Sequence, residues 1–323
     1  VIGYTPPRIY RNGHTNTIAA SSLLRKTYAL NVSKAFRDES EPCLLSLPNN
    51  VRLQGFVNKH PSAKTKPLVM ILHGWLGCAD SLYLLPLASK LFNRGFNVFR
   101  LNFRDHGGTE SLNEQLFHSC RLDEVLDATK QIQQQAPHSK FYIVGFSLGG
   151  NFALRIGAKA KNRNLAIHKI ISVCPVMNAA NALDETKSML TIYTEYYLQR
   201  WKNILKKKHK HFPQNYDLNS INKQRSLTAM TEHLLLQYTE FNSVEDYLEG
   251  YSITGDCLKS LTVDSDVYIA KDDPVIPPED HKNLYASKFL KLHTTQYGGH
   301  CGYLKNLFGD SWIDEQIIKT LTA

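Results

Sequence analysis

The 323-residue sequence has no long apolar run. Its longest, around "PLVMIL", is the length of a strand, well short of the roughly 18–20 residues that cross a bilayer. No transmembrane helix is therefore expected. Cysteine is sparse and scattered: Cys43, Cys78, Cys120, Cys174, Cys257 and Cys301 include no C-x-x-C spacing. In a chain of this length that excludes a disulfide scaffold and points to reduced thiols in the cytoplasm. The 13 histidines form no H-E-x-x-H or similar ligand spacing, so neither a metal nor a cofactor is expected. The opening Val1-Ile2-Gly3-Tyr4 shows no basic stretch leading into an apolar one, so no signal peptide is expected. An initiator methionine is missing too, which leaves room for a segment removed ahead of Val1. Internal repeats, low-complexity linkers and nucleic-acid recognition motifs are all lacking.

What remains is an ordinary globular composition, with 42% hydrophobic and 21% charged residues and enough apolar matter for a sizeable core. The length fits two ordinary domains or one large α/β domain with an insertion. The formal charge of +9 is less ordinary and raises nucleic acid or anionic membrane as a partner. Much of it sits in "RWKNILKKKHKHF", residues 200–212, which reads as an amphipathic helix with a basic, solvated face. Contact with an anionic membrane surface is the alternative reading. Nucleic acid is not expected, because no recognition motif accompanies the charge.

The order of elements gives the fold class. Residues 1–40 read as an amino-terminal arm, loop-like through "YTPPRIYRNGH" and then briefly helical. "CLLSLPNNVRLQGFV" reads as two strands around a Pro-Asn-Asn turn. From "PLVMILHG" onward, apolar strands alternate with helices, which implies an α/β fold with a mostly parallel sheet covered on both faces. Between about Met177 and Asp256 the pattern turns to polar, aromatic-dotted helices with no strand. Alternation then resumes with "SDVYIAKDDPVIP", a helix from about Glu279, "LKLHTTQYGGH" and a last helix near Trp312. The expected division is arm 1–40, core 41–176 and 257–323, and helical cap 177–256. The cap would overlie the carboxyl edge of the sheet, where open α/β sheets bind ligands.

Chemistry-bearing residues fall on that edge. "YIVGFSLGGNFAL" runs from a strand through Gly145-Phe146-Ser147-Leu148-Gly149 into a helix. A serine at such a corner could merely cap the helix. It also fits G-x-S-x-G, in which a strained turn exposes a nucleophilic hydroxyl. An aspartate there would have suggested dehalogenation or epoxide opening. His300 follows Gly298-Gly299 after the last strand, in position to be the base. Asp273 is preferred over Asp272 and Asp266 as the acid, because Pro274 and Pro277 stiffen the loop that aims it. The chain order Ser147, Asp273, His300 is that of α/β-hydrolases. Backbone amides of Leu148 and of Trp75, in "HGWLG", are the expected oxyanion donors. Cys78 and Cys301 neighbour this chemistry and are read as small, buried apolar residues.

Successive blocks of the sequence resemble one branch of the α/β-hydrolase superfamily, the YheT-like group of bacteria with its ABHD relatives in animals. These blocks are Asn12-Gly13-His14 with Thr17, "LHGWLG", "NFRDHGG", "FHSCRLDE", "GFSLGG", "DDPVIPP" and "GGHCGY". The resemblance implies a serine esterase acting on small-molecule carboxylic esters, with Ser147, Asp273 and His300 as triad. Short- to medium-chain acyl groups are the expected substrates. A lipase or phospholipase at an anionic membrane, an acyltransferase using the same triad, and a non-catalytic binding protein are the alternatives. The sequence departs from the group's pattern at two points. Arg104-Asp105-His106-Gly107-Gly108 stands where a small-residue turn is usual, so Asp105 and His106 are expected to shape a loop near the pocket. Thr15-Asn16 replaces a Leu-Gln pair in the arm, whose role stays open.

Overall fold

The computed structural model describes residues 3–62, 65–188 and 191–323. Eight strands form one sheet: β1 (Glu41–Ser46), β2 (Arg52–Asn58), β3 (Leu68–Leu72), β4 (Asn97–Leu101), β5 (Phe141–Phe146), β6 (Lys169–Val173), β7 (Ser265–Ala270) and β8 (Leu290–Thr295). Their order is β1-β2-β4-β3-β5-β6-β7-β8. β1 and β2 pair antiparallel, β2 runs antiparallel to β4, and every pair from β4 to β8 is parallel. The hairpin at the antiparallel edge turns through Pro48–Asn50, where Asn49 and Asn50 both take φ of 58°. Asparagine tolerates that left-handed region better than most residues do.

The two middle strands, β3 and β5, read as unbroken apolar runs because both faces are covered. In β3, Leu68, Met70 and Leu72 face the layer of α5 (Leu122–Gln133) and α6 (Leu148–Lys159). Val69 and Ile71 face the opposite layer, with α3 (Lys34–Asp38), α4 (Leu84–Phe92) and α12 (Trp312–Thr322). The two-residue period of a strand divides these side chains between two cores. Both cores meet in β5, whose Gly145 lies beside Leu72 in the middle of the sheet.

Between β6 and β7 the described chain is helical: α7 (Ala179–Ser188), α8 (Thr191–His211), α9 (Leu218–Lys223), α10 (Leu227–Tyr238) and α11 (Val244–Tyr251). Asp217, Ser226 and Ser243 each accept a backbone N–H of the helix they begin, which is the usual reason such residues start helices. Small apolar clusters join them. Leu198, Leu205, Met230 and Leu234 form one, and Leu235, Tyr247 and Leu248 belong to another.

Three local expectations need correction. The arm is more helical than its composition suggests, with α1 (Gly13–Ala20) and α2 (Leu23–Val32) ahead of α3. The Asn12-Gly13 pair, which reads as a loop, is a helix start: Asn12 Oδ1 accepts the Thr15 amide at 3.1 Å. The helix expected near Glu279 is one 3₁₀ segment, Pro278–Asn283, which ends where Leu284 turns extended and bridges Thr254. The basic run of α8 is not wholly solvated either. Lys208 is completely buried, and its ammonium meets Asp105 Oδ1 at 2.7 Å and also donates to the Asn113 carbonyl.

Candidate active site

β5 ends at Phe146 and α6 begins at Leu148, so Ser147 alone makes the corner. Its φ of 52° and ψ of −119° are strained for a serine, at a cost of about 1–3 kcal/mol. The corner is tight enough to require both flanking glycines. A Cβ on Gly145 would strike the backbone of Gly149, and one on Gly149 would strike the carbonyls of Leu72 and His73. The Ser147 amide is held by the Val173 carbonyl at 2.8 Å, which fixes the hydroxyl above the edge of the sheet.

Strain of this kind is grouped around the corner. Among the described residues, every residue with positive φ other than Gly and Asn is Leu76, Asp105, Ser147, Cys174, Cys301 or Tyr303. All six lie in the loops that follow β3, β4, β5, β6 and β8 at their carboxyl ends. Such residues persist where the surrounding structure over-determines them, which is commonly at functional sites.

The structure brings Ser147, His300 and Asp273 together. His300 Nε2 lies 2.9 Å from Ser147 Oγ, and His300 Nδ1 lies 3.0 Å from Asp273 Oδ2. The second carboxylate oxygen, Oδ1, accepts the amides of Val275 and Ile276 at 2.8 and 3.0 Å. The two competing aspartates are engaged elsewhere. Asp272 Oδ1 accepts the Gly299 amide at 2.9 Å, and Asp266 binds His293 and Lys169. Burial pulls the His300 pKa down, but the charge and hydrogen bond of Asp273 outweigh it and leave the imidazole above its ordinary 6.5.

Trp75 and Leu148 flank the serine. Leu148 is the first residue of α6, whose free amides and dipole favour negative charge. Trp75 lies in the loop after β3, beside Gly74, whose α-carbon side faces Ser147 Cβ. Among the described residues neither amide has a hydrogen-bond acceptor. The loop that carries Trp75 is braced on every side. Tyr83 OH accepts the Gly74 amide at 2.8 Å, His106 Nε2 accepts the Leu76 amide at 3.1 Å, and Arg200 of α8 donates to the Leu76 carbonyl at 2.6 Å.

His106 donates from Nδ1 to the Arg104 carbonyl at 2.7 Å. One nitrogen therefore gives a proton and the other receives one, so the ring works only when neutral. Burial favours that form and pushes its pKa down to about 4. His73 is arranged the same way, between the Gly74 carbonyl and the Phe103 amide, and burial holds its pKa well below the ordinary value. Asp105 and His106 thus shape the pocket's loops, as their positions suggested. The bracing roles of Tyr83 and Arg200 carry no sequence signature of their own.

A cavity of about 270 Å³ opens over Ser147. Its walls come from α1, from the loops after β3, β4 and β5, and from the helices between β6 and β7, and they are mainly apolar. Cys301 lines it and is buried, while Cys78 is half-buried and does not. Among the described residues one group could in principle hold a metal: the ligand atoms of Cys174, His300 and Cys301 lie within 4.8 Å of one another. The group is poorly suited to one. Both ring nitrogens of His300 are already occupied, and burial raises the Cys301 thiol well above its ordinary pKa. No described helix is long and apolar enough to cross a membrane.

The model of the alpha/beta hydrolase fold family matches residues 67–307. Among curated relatives, the putative esterase YheT of Escherichia coli (strain K12) is 23% identical over 288 residues, spanning 86% of this chain and 84% of that one. Phospholipase ABHD3 of Homo sapiens is 23% identical over 266 residues, spanning 76% of this chain and 61% of its own. Among solved structures, the Pyrococcus furiosus esterase Pf2001 superposes with a TM-score of 0.59 at 15% identity, over 90% of this chain and 94% of its own.

Proposed function

The chain belongs to the alpha/beta hydrolase fold family, and on that footing we propose that it is a serine carboxylesterase acting on short- to medium-chain esters. The observation that carries this is the unbroken line from Ser147 Oγ through His300 to Asp273, at 2.9 and 3.0 Å, on the floor of an apolar cavity. The names of its relatives, putative esterase YheT among them, support the same class of bond.

The geometry performs the reaction as follows. Ser147 Oγ attacks the ester carbonyl and passes its proton to His300 Nε2, while Asp273 stabilises the imidazolium and fixes its tautomer. The carbonyl oxygen becomes an anion between the amides of Trp75 and Leu148. These need no reorganisation to meet it, and losing one such donor costs about 3–4 kcal/mol. The tetrahedral intermediate collapses as His300 protonates the departing alcohol, leaving an acyl group on Ser147. Water then attacks that acyl group, giving its proton to His300, and the acid leaves as Ser147 recovers its hydrogen. An alcohol in place of water would make the same residues an acyltransferase.

Residues 177–256 serve here as a cap whose apolar side chains receive the acyl chain, with 41–176 and 257–323 as the hydrolase core. The unpaired thiols suit a reducing compartment, the cytoplasm. A second reading places a lipase or phospholipase at an anionic membrane, and the relative named phospholipase ABHD3 favours it. The inward turn of Lys208 and the bonds of Lys202 to the Asn222 and Gln224 carbonyls reduce the basic face available for that role.

The test is hydrolysis of p-nitrophenyl esters from acetate to decanoate, with Ser147→Ala alongside. We expect turnover to peak at short to medium chains and to fall at least about a thousandfold in the variant. Equal rates for the two proteins would exclude the proposal. Salt-sensitive sedimentation with anionic vesicles would favour the second reading.

A further inference from the structure

We propose that the amino-terminal arm completes the active site, with Thr17 acting as a positioning residue that holds His300 over Ser147. The inference rests on the reading of His300 as the base and adds a part that precedes the family's matched region, residues 67–307.

His300 stands in a loop with no regular structure, between Gly299 at φ 55° and Cys301 at φ 59°. Its backbone amide is half-buried and needs an acceptor. That acceptor is Thr17 Oγ1, at 2.8 Å. The Thr17 hydroxyl proton is committed in turn to the Gly13 carbonyl at 2.7 Å. With its proton spent on Gly13, the oxygen offers a lone pair to the His300 amide. The imidazole hangs from the backbone so pinned.

The same helix touches the acid loop. Gly13 lies so close to the Asp272 backbone that a Cβ would overlap its carbonyl oxygen. Asp272, next to the acid, accepts the Gly299 amide, next to the base. α1, the Asp273 loop and the His300 loop therefore meet at one junction, and their spacing sets the distance between His300 and Asp273. The arm is itself well anchored. Asn16, fully buried, donates to the Tyr10 carbonyl and accepts the Leu304 amide, and Tyr4 OH donates to the Leu304 carbonyl at 2.7 Å.

Misplacing a catalytic group by about 1 Å can cost a hundredfold in rate. The test compares Thr17→Val, which keeps the side chain's shape and the cavity wall, with Thr17→Ser, which keeps the hydroxyl. We expect Thr17→Val to lower kcat about tenfold to a hundredfold with KM within about twofold. The acid limb of its kcat/KM profile should move to lower pH, because a looser imidazole loses part of its pairing with Asp273. Thr17→Ser should recover kcat to within about threefold of the parent.

Should Thr17→Val fail to fold, Thr17→Ser and Thr17→Ala, which differ only by the hydroxyl, decide the matter: at least a tenfold gap in kcat is expected. Parent-like kcat in Thr17→Val, or equal kcat in the Ser and Ala pair, would overturn the proposal. Ser147→Ala, run in parallel, separates this failure from that of the underlying reading. An inactive Ser147→Ala beside a fully active Thr17→Val would remove only the arm's role, whereas an active Ser147→Ala would remove both.

Discussion

At Asp273 the carboxylate divides its work. Oδ1 is held by two backbone amides, and Oδ2 is left to face the His300 imidazole. The charge is thereby aimed, and it keeps His300 protonated to a higher pH than a free histidine. A base must be neutral to accept the Ser147 proton, so kcat/KM should fall as pH drops through a value above 6.5. Below it the fall is about tenfold per pH unit. In Asp273→Asn the limb should shift toward lower pH and the plateau kcat should drop about a thousandfold to ten-thousandfold, because the ring loses both its partner charge and its tautomer. A pH–rate profile of both proteins checks this, and an unmoved limb in the variant would contradict the assignment. That Asp273, and not Asp272, faces His300 is consistent with the stiffening prolines around it in the sequence. The bond from Asp272 to Gly299 was not legible there, since it depends on where two loops meet in space.

α8 shows what a helix's own pattern can and cannot reveal. Its basic run is visible in the sequence, and period alone assigns those lysines to a solvated face. Which lysine turns inward depends on Asp105, 103 positions away. Asp105 is buried in the loop after β4, with Lys208 as its partner and with Arg104, Arg121 and Tyr216 near enough to interact with its charge. Burial pushes its carboxyl up to about 6 even so, and it pulls the Lys208 ammonium down. The pair fastens the helical insertion to the core, and breaking it strands a charge. Lys208→Met should therefore cost about 3–5 kcal/mol of stability at pH 8. The loss should shrink toward pH 5. Without the lowering effect of Lys208 the Asp105 carboxyl rises further in the variant, so the folded variant takes up a proton sooner than the parent as pH falls and recovers stability relative to it. Asp105→Asn with Lys208→Met should recover part of the deficit. Urea unfolding at both pH values measures this, and an unchanged midpoint in the single variant at pH 8 would contradict it.

Across the whole molecule, three stretches distant in sequence converge on one cavity: the arm, the carboxyl edge of the sheet and the helices inserted between β6 and β7. The alternation of apolar strands and helices made the sheet legible, because strands buried on both faces are mainly apolar. The corner at Ser147 was legible because its two glycines have steric reasons to be there. The cavity was not, since its walls are assembled from side chains such as Ile204, Leu205, Leu234 and Leu248, which no single apolar run brings together. Nor was the arm's clasp on His300, which joins positions 283 residues apart. What unites these parts is the claim that His300 makes Ser147 a nucleophile. The most direct measurement is labelling of the intact protein with a fluorophosphonate, followed by peptide mapping. One adduct per chain is expected on the peptide containing Ser147, with the rate of labelling sharply reduced in His300→Ala. No adduct there, or equal labelling in that variant, would contradict the account.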